Sequence, residues 1–124
     1  MRLKDKRVIV TGGSSGIGRA ICELFSEEGA KVVVADVDES GGKETMYKIV
    51  SEGRSCLFVN TDVSSNSDVE NLLDSSFQFL GGVDILVNNA AAFVFGKVED
   101  VTKSDWERVF GVNLIGAANT TASA

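Results

Sequence analysis

With 124 residues, 44% of them apolar, the chain is long enough to bury a core as a single domain over residues 1–124 without disulfide or metal staples. Its 12 basic and 18 acidic residues leave a formal charge of -6, which repels polyanions and argues against a broad nucleic-acid surface. No histidine occurs, which excludes a histidine-based triad; with only Cys22 and Cys56 as thiols, the usual zinc spacings cannot be assembled.

The two cysteines lie in unrelated segments and read as free buried thiols, the usage of a reducing, cytoplasmic compartment. Met1 to Arg7 is charged and lacks the apolar stretch of a signal peptide, and no apolar run approaches membrane-spanning length. Neither a membrane nor a nucleic acid is therefore an expected partner.

Val8-Ile9-Val10-Thr11, closed by Gly12-Gly13, reads as a buried first strand entering a turn. Ile17, Ala20, Ile21, Leu24 and Phe25 recur at the spacing of one helical face, which predicts a first helix with that face inward and a left-handed cap at Gly29. Val32 to Ala35 makes a second, almost wholly apolar strand that ends at Asp36, as expected where both faces are covered. A second helix is predicted over Gly41 to Glu52, with Met46, Ile49 and Val50 inward, and a third strand over Cys56 to Val59. Ser67 with Glu70 forms a capping-box pattern ahead of Val69, Leu72, Leu73 and Leu80, and Gly81-Gly82 closes that helix. Ile85-Leu86-Val87 is the fourth strand. Thr102 and Asp105 open a last helix carrying Trp106, Val109, Phe110, Asn113 and Ala117 on one face, and the sequence runs out inside it.

Strands alternating with helices through short glycine-marked turns predict right-handed βαβ units, hence a Rossmann-like, doubly wound α/β fold with a parallel sheet. The pattern stops after the fourth strand and its helix, so the domain is expected to be incomplete at its C-terminal side. The fourth strand is apolar throughout and would then expose an edge that favours association.

Gly12, Gly16 and Gly18 lie between the first strand and first helix, where backbone amides at a helix N-terminus can receive a pyrophosphate. Asp36 stands at the distance from them where a carboxylate reaches the hydroxyls of an adenosine ribose; a solvated strand-end aspartate is the plainer alternative. Gly13 and Gly18 also match the outer glycines of a nucleoside-triphosphatase loop. Arg19 and Ala20 occupy the places of its lysine and hydroxyl residue, which argues against nucleotide hydrolysis.

Thr11-Gly12-Gly13-Ser14-Ser15-Gly16-Ile17-Gly18 resembles the cofactor loop of the short-chain dehydrogenases/reductases. Asp62-Val63 resembles the pair that contacts adenine in that family. Asn88-Asn89-Ala90 resembles its sheet-stabilising and ribose-lining segment, and Asn113 in Val112-Asn113-Leu114 its active-site asparagine. The resemblance implies that Gly12, Ser14, Ser15, Gly16, Ile17, Gly18, Asp36, Asp62, Val63, Asn89 and Ala90 bind NAD(P), with Asn113 in the catalytic machinery. It also implies hydride transfer to or from a small-molecule alcohol or carbonyl substrate, and a homo-oligomer paired through the last helix and the one beyond it.

Two departures stand out. Ala91 replaces the family's usual glycine, and the catalytic Tyr-x-x-x-Lys with its preceding serine is missing from this chain. Tyr47, the only tyrosine, precedes Ser51 rather than lysine and reads as a surface or packing residue; Trp106, Phe77 and Phe79 read as core or interface. The 124 residues alone are accordingly expected to be inactive. Asp36-Val37-Asp38-Glu39 contains no basic residue, so NAD is expected over NADP. A non-catalytic dinucleotide-binding sensor or interaction module is the alternative, and a folded α/β unit with an empty site a third.

Overall fold

The computed structural model describes residues 1–90 together with Lys103 and Ser104. Strands β1 (Arg7–Thr11), β2 (Lys31–Asp36), β3 (Cys56–Asn60) and β4 (Ile85–Asn88) alternate with helices α1 (Gly16–Glu27), α2 (Glu39–Ser51) and α3 (Asn66–Leu80). The sheet order is β3-β2-β1-β4 and every pairing is parallel, with Val8 opposite both Val32 and Ile85. This is the expected Rossmann-like arrangement. Lys103 and Ser104 are helical; Ala91, Trp106, Val109, Phe110, Asn113 and Ala117 lie outside the described residues.

Alternation along the strands explains why β1 and β2 are apolar at successive positions. Val8, Val10, Val32 and Val34 form one core layer with Cys22, Ala30, Ile49 and Cys56, under α1 and α2. Ile9, Val33 and Ala35 point the other way, to Val59, Leu72, Leu73 and Leu80 on the α3 side. Burial of each large aliphatic side chain stabilises the fold by roughly 1.5–3 kcal/mol, so two covered faces demand two apolar sets. Cys22 and Cys56 are free thiols in one layer. Burial pushes both up to about 12, which keeps them protonated near neutrality and unreactive.

The helix faces needed correction. In α1 the buried stripe is Gly18, Cys22 and Ser26, flanked by partly buried Ile21 and Phe25. Ile17 is 75% and Leu24 54% exposed, and Ala20 is exposed as well. Small residues at four-residue spacing let the helix axis approach the sheet closely, which turns the larger aliphatics outward. In α2, Gly42, Thr45 and Ile49 are buried while Val50 is exposed, and the Phe58 ring occupies the space beside Gly42. The cap of α3 lies two residues earlier than expected: Ser65 Oγ accepts from the Asp68 amide at 3.3 Å, and Ser67 sits inside the first turn. Left-handed glycines close α1 and α3 at Gly29 and Gly81, as expected.

At the amino end of the sheet, Arg7 clamps β1 to the start of β4. Its guanidinium donates to both Asp84 oxygens, at 3.0 and 2.9 Å, and holds that carboxyl well below the usual carboxylate range. The carboxyl end is organised differently.

Candidate cofactor-binding site

Because all strands are parallel, the segments that follow them emerge at one end of the sheet: Gly12 after β1, Asp36 closing β2, Asp62 after β3 and Asn89 after β4. β2 and β4 flank β1 on opposite sides, so the chain reverses its winding direction there and opens a crevice at the carboxyl ends.

Gly12 is wedged into this end. Its φ of +72° lies in the left-handed region, its amide donates to Ala35 at 2.7 Å, and an added Cβ would meet the Ala90 backbone at 2.9 Å. Asn89 Nδ2 donates to the Gly12 carbonyl at 3.1 Å. Thr11 completes the junction. Its buried hydroxyl accepts from the amides of Asn89 and Ala90, each at 3.1 Å, and donates to Val87 at 3.3 Å. No local pattern marks Thr11 for this role, since its partners are 78 and 79 residues away.

The N-terminus of α1 differs from those of α2 and α3. Asp38 and Ser65 cap the latter two with side-chain oxygens, whereas Ser15 makes no side-chain cap bond and no acidic residue stands in the first turn of α1. Among the described residues no acceptor serves the Ser15, Gly16 or Ile17 amides. Among the described residues an added Cβ on Gly16 would meet nothing within 4 Å, so none of them closes the space beside these donors. Amides of positive electrostatic character facing an opening suit a phosphate ester, and the residues present therefore fit a dinucleotide's pyrophosphate.

Asp36 is half-buried and engaged: Oδ2 accepts from the Ser14 amide at 3.2 Å and Oδ1 from Asp38 at 3.0 Å. Each oxygen retains a second lone pair for a ribose hydroxyl. Asp62 Oδ1 accepts from the Ser64 amide and hydroxyl at 2.9 and 2.6 Å, beside buried Val63. Ile17, expected both on the inward face of α1 and among the cofactor-binding residues, is exposed in the first turn of α1 beside the glycine loop. Asn113 lies outside the described residues.

Sequence reasoning weighed Arg19 only against a triphosphatase loop and missed its contacts with α2. Its guanidinium does not face a phosphate site but turns toward α2, donating to Thr45 Oγ1 at 2.9 Å, to Glu44 at 3.3 Å, to Gly41 at 3.2 Å and to the Ser14 carbonyl. That commitment agrees with the sequence argument against a triphosphatase loop.

The comparisons with known proteins agree with this geometry. The model of the short chain dehydrogenase family matches residues 6–124. An uncharacterized oxidoreductase of Thermotoga maritima is 43% identical over 114 residues, covering 92% of this chain and 44% of its own length. A short chain dehydrogenase/reductase from Burkholderia phymatum in complex with NAD superposes with a TM-score of 0.94 at 35% identity, over 98% of this chain and 43% of that one. A short chain dehydrogenase from Burkholderia cenocepacia in complex with NADP gives 0.93 at 33% identity, over 100% and 51%. The chain thus spans about half the length of the proteins it matches. On its sequence, its parallel fold and these relatives, the chain belongs to the short-chain dehydrogenase/reductase family.

Proposed function

We propose that this chain is the NAD-binding part of an oxidoreductase that interconverts a small-molecule alcohol and its carbonyl compound, acting as a homo-oligomer. The observation that carries the reading is the uncapped N-terminus of α1, opening beside the Asp36 carboxylate. When bound, nicotinamide supplies hydride chemistry; the chain's own residues bind and orient. In this reading the amides from Ser15 to Ile17 receive the pyrophosphate and Asp36 accepts from the adenosine ribose. Asp62 and Val63 flank the adenine, and Asn89 with Ala90 lines the second ribose.

Relatives in complex with NAD and with NADP are both known, so the choice rests on local charge. Asp36, Asp38 and Glu39 oppose a 2′-phosphate, and Arg19 is already committed to α2. NADH is expected to bind about five- to 150-fold tighter than NADPH, equivalent to roughly 1–3 kcal/mol. Asp36→Ala should shrink the difference. Fluorescence titration with both reduced cofactors measures it, and equal or tighter NADPH binding would overturn the assignment.

Residues 1–124 by themselves are expected to bind cofactor without turnover. Carbonyl reduction requires a proton for the substrate oxygen from a group of tuned acidity within hydrogen-bond reach. The only tyrosine, Tyr47, is exposed on α2 and has Ser51 at its fourth following position. NADH oxidation against a panel of ketones and aldehydes, on protein of verified mass, should stay at the uncatalysed rate. Clear turnover would refute the argument from proton supply.

A further inference from the structure

We propose that Arg19 and Thr45 form a latch between α1 and α2 that sets the ribose preference of the cofactor site by pinning the Gly13–Ser14 peptide against Asp36. This rests on the cofactor reading above. Thr45 is fully buried; its hydroxyl donates to the Gly13 carbonyl at 2.9 Å, with the Gly41 carbonyl a longer acceptor at 3.2 Å, and accepts from Arg19 Nε at 2.9 Å. A trans peptide directs its N–H opposite to its C=O. Holding the Gly13 oxygen toward α2 therefore aims the Ser14 amide the other way, where it donates to Asp36 Oδ2 at 3.2 Å. One peptide unit thus carries a buried hydroxyl on one side and the ribose-facing carboxylate on the other.

Arg19 secures the next unit. Its Nη2 donates to the Ser14 carbonyl and to the Gly41 carbonyl at 3.2 Å, joining the glycine loop to α2, while Nη1 pairs with Glu44 and Nε with Thr45, both on α2. Asp36 Oδ1 is braced from the same helix, by the amide of its capping residue Asp38. The loop that receives the pyrophosphate and the carboxylate that selects the ribose are thereby one mechanical unit, and Arg19 and Thr45 are its positioning residues.

Thr45→Val removes the hydroxyl at nearly constant volume and leaves the Gly13 oxygen and Arg19 Nε without their partner. NADH affinity is expected to fall about fivefold or more, with NADPH affinity falling less, so that the ratio between them drops. Thr45→Ser, which keeps the hydroxyl, should retain the parent ratio. In an Asp36→Ala background Thr45→Val should no longer move the ratio, because the latch acts through that carboxylate. Equal losses for both cofactors, or an effect that persists without Asp36, would overturn the latch while leaving the cofactor reading intact. A parent protein that binds neither cofactor would overturn both. Hydrogen exchange on the unaltered protein tests the latch even where Thr45→Val does not fold: the Ser14 amide should exchange at least about tenfold more slowly than that of Ser15. Equal rates would refute it.

Discussion

Gly18→Ala is expected to cost the protein both stability and its nucleotide. A Cβ at this position would lie 1.9 Å from the Gly12 oxygen, 2.7 Å from the Gly12 carbonyl carbon and 2.6 Å from Asn89 Nδ2. The two Gly12 backbone atoms cannot yield cheaply. The Gly12 carbonyl accepts from Asn89, and its amide is tied to Ala35 at 2.7 Å. Relief must come from moving α1 outward, which loosens Cys22 and Ser26 on the same buried stripe. Overpacking of this kind costs about 1–3 kcal/mol, and backbone contacts place it toward the upper end. Displacing the helix N-terminus also separates its amides from the crevice, so NADH affinity should fall by about 100-fold, or roughly 2.7 kcal/mol. Urea unfolding and NADH fluorescence measure the two losses. A variant within about twofold of the parent in affinity would show that the contact of α1 with Gly12 does not shape the site.

Gly16→Val should separate binding from folding. An added Cβ there meets nothing within 4 Å among the described residues, but φ is +55°. A side chain in the left-handed region costs roughly 1–2 kcal/mol, which lowers the melting temperature without unfolding the chain. The isopropyl group would fill the opening in front of the α1 amides and block a phosphate, with an expected loss in NADH affinity of about 100-fold or more. Gly53 supplies the control. An added Cβ there also meets nothing within 4 Å among the described residues and φ is positive, +80°, but it follows the end of α2 rather than opening α1. Gly53→Val should impose a similar strain and leave NADH binding unaltered. Circular dichroism with calorimetry reads both variants, and normal NADH binding by Gly16→Val would mean that the pyrophosphate site has been misplaced.

Local sequence determined the order and type of the elements. Runs such as Val32 to Ala35 are apolar because both faces of a parallel strand are covered, and the period of side chains along one strand needs no distant information. Glycines punctuated the chain for the same reason, since turn geometry is decided by a few neighbouring dihedrals, whereas the cap of α3 fell on Ser65 and not on the expected Ser67. Gly12, Asp36, Asp62 and Asn89 lie at or just after the ends of successive strands, and parallel pairing alone carries them to one end of the sheet. Which side of a helix turns inward was not decided locally. Apolar spacing selected Ile17, Ala20 and Leu24, whereas packing selected Gly18, Cys22 and Ser26, because the distance between α1 and the sheet is set by the smallest side chains at the contact. Tertiary structure alone decided that Thr11 would hold Asn89 and Ala90, that the Ser14 amide would meet Asp36, and that Arg19 would reach Thr45. The partners in those bonds are 22 to 79 residues apart, and buried polar groups take whichever partners the assembled layers bring within reach. No periodicity or short motif encodes such meetings, since they exist only after the crossovers have stacked α1 and α2 on the sheet.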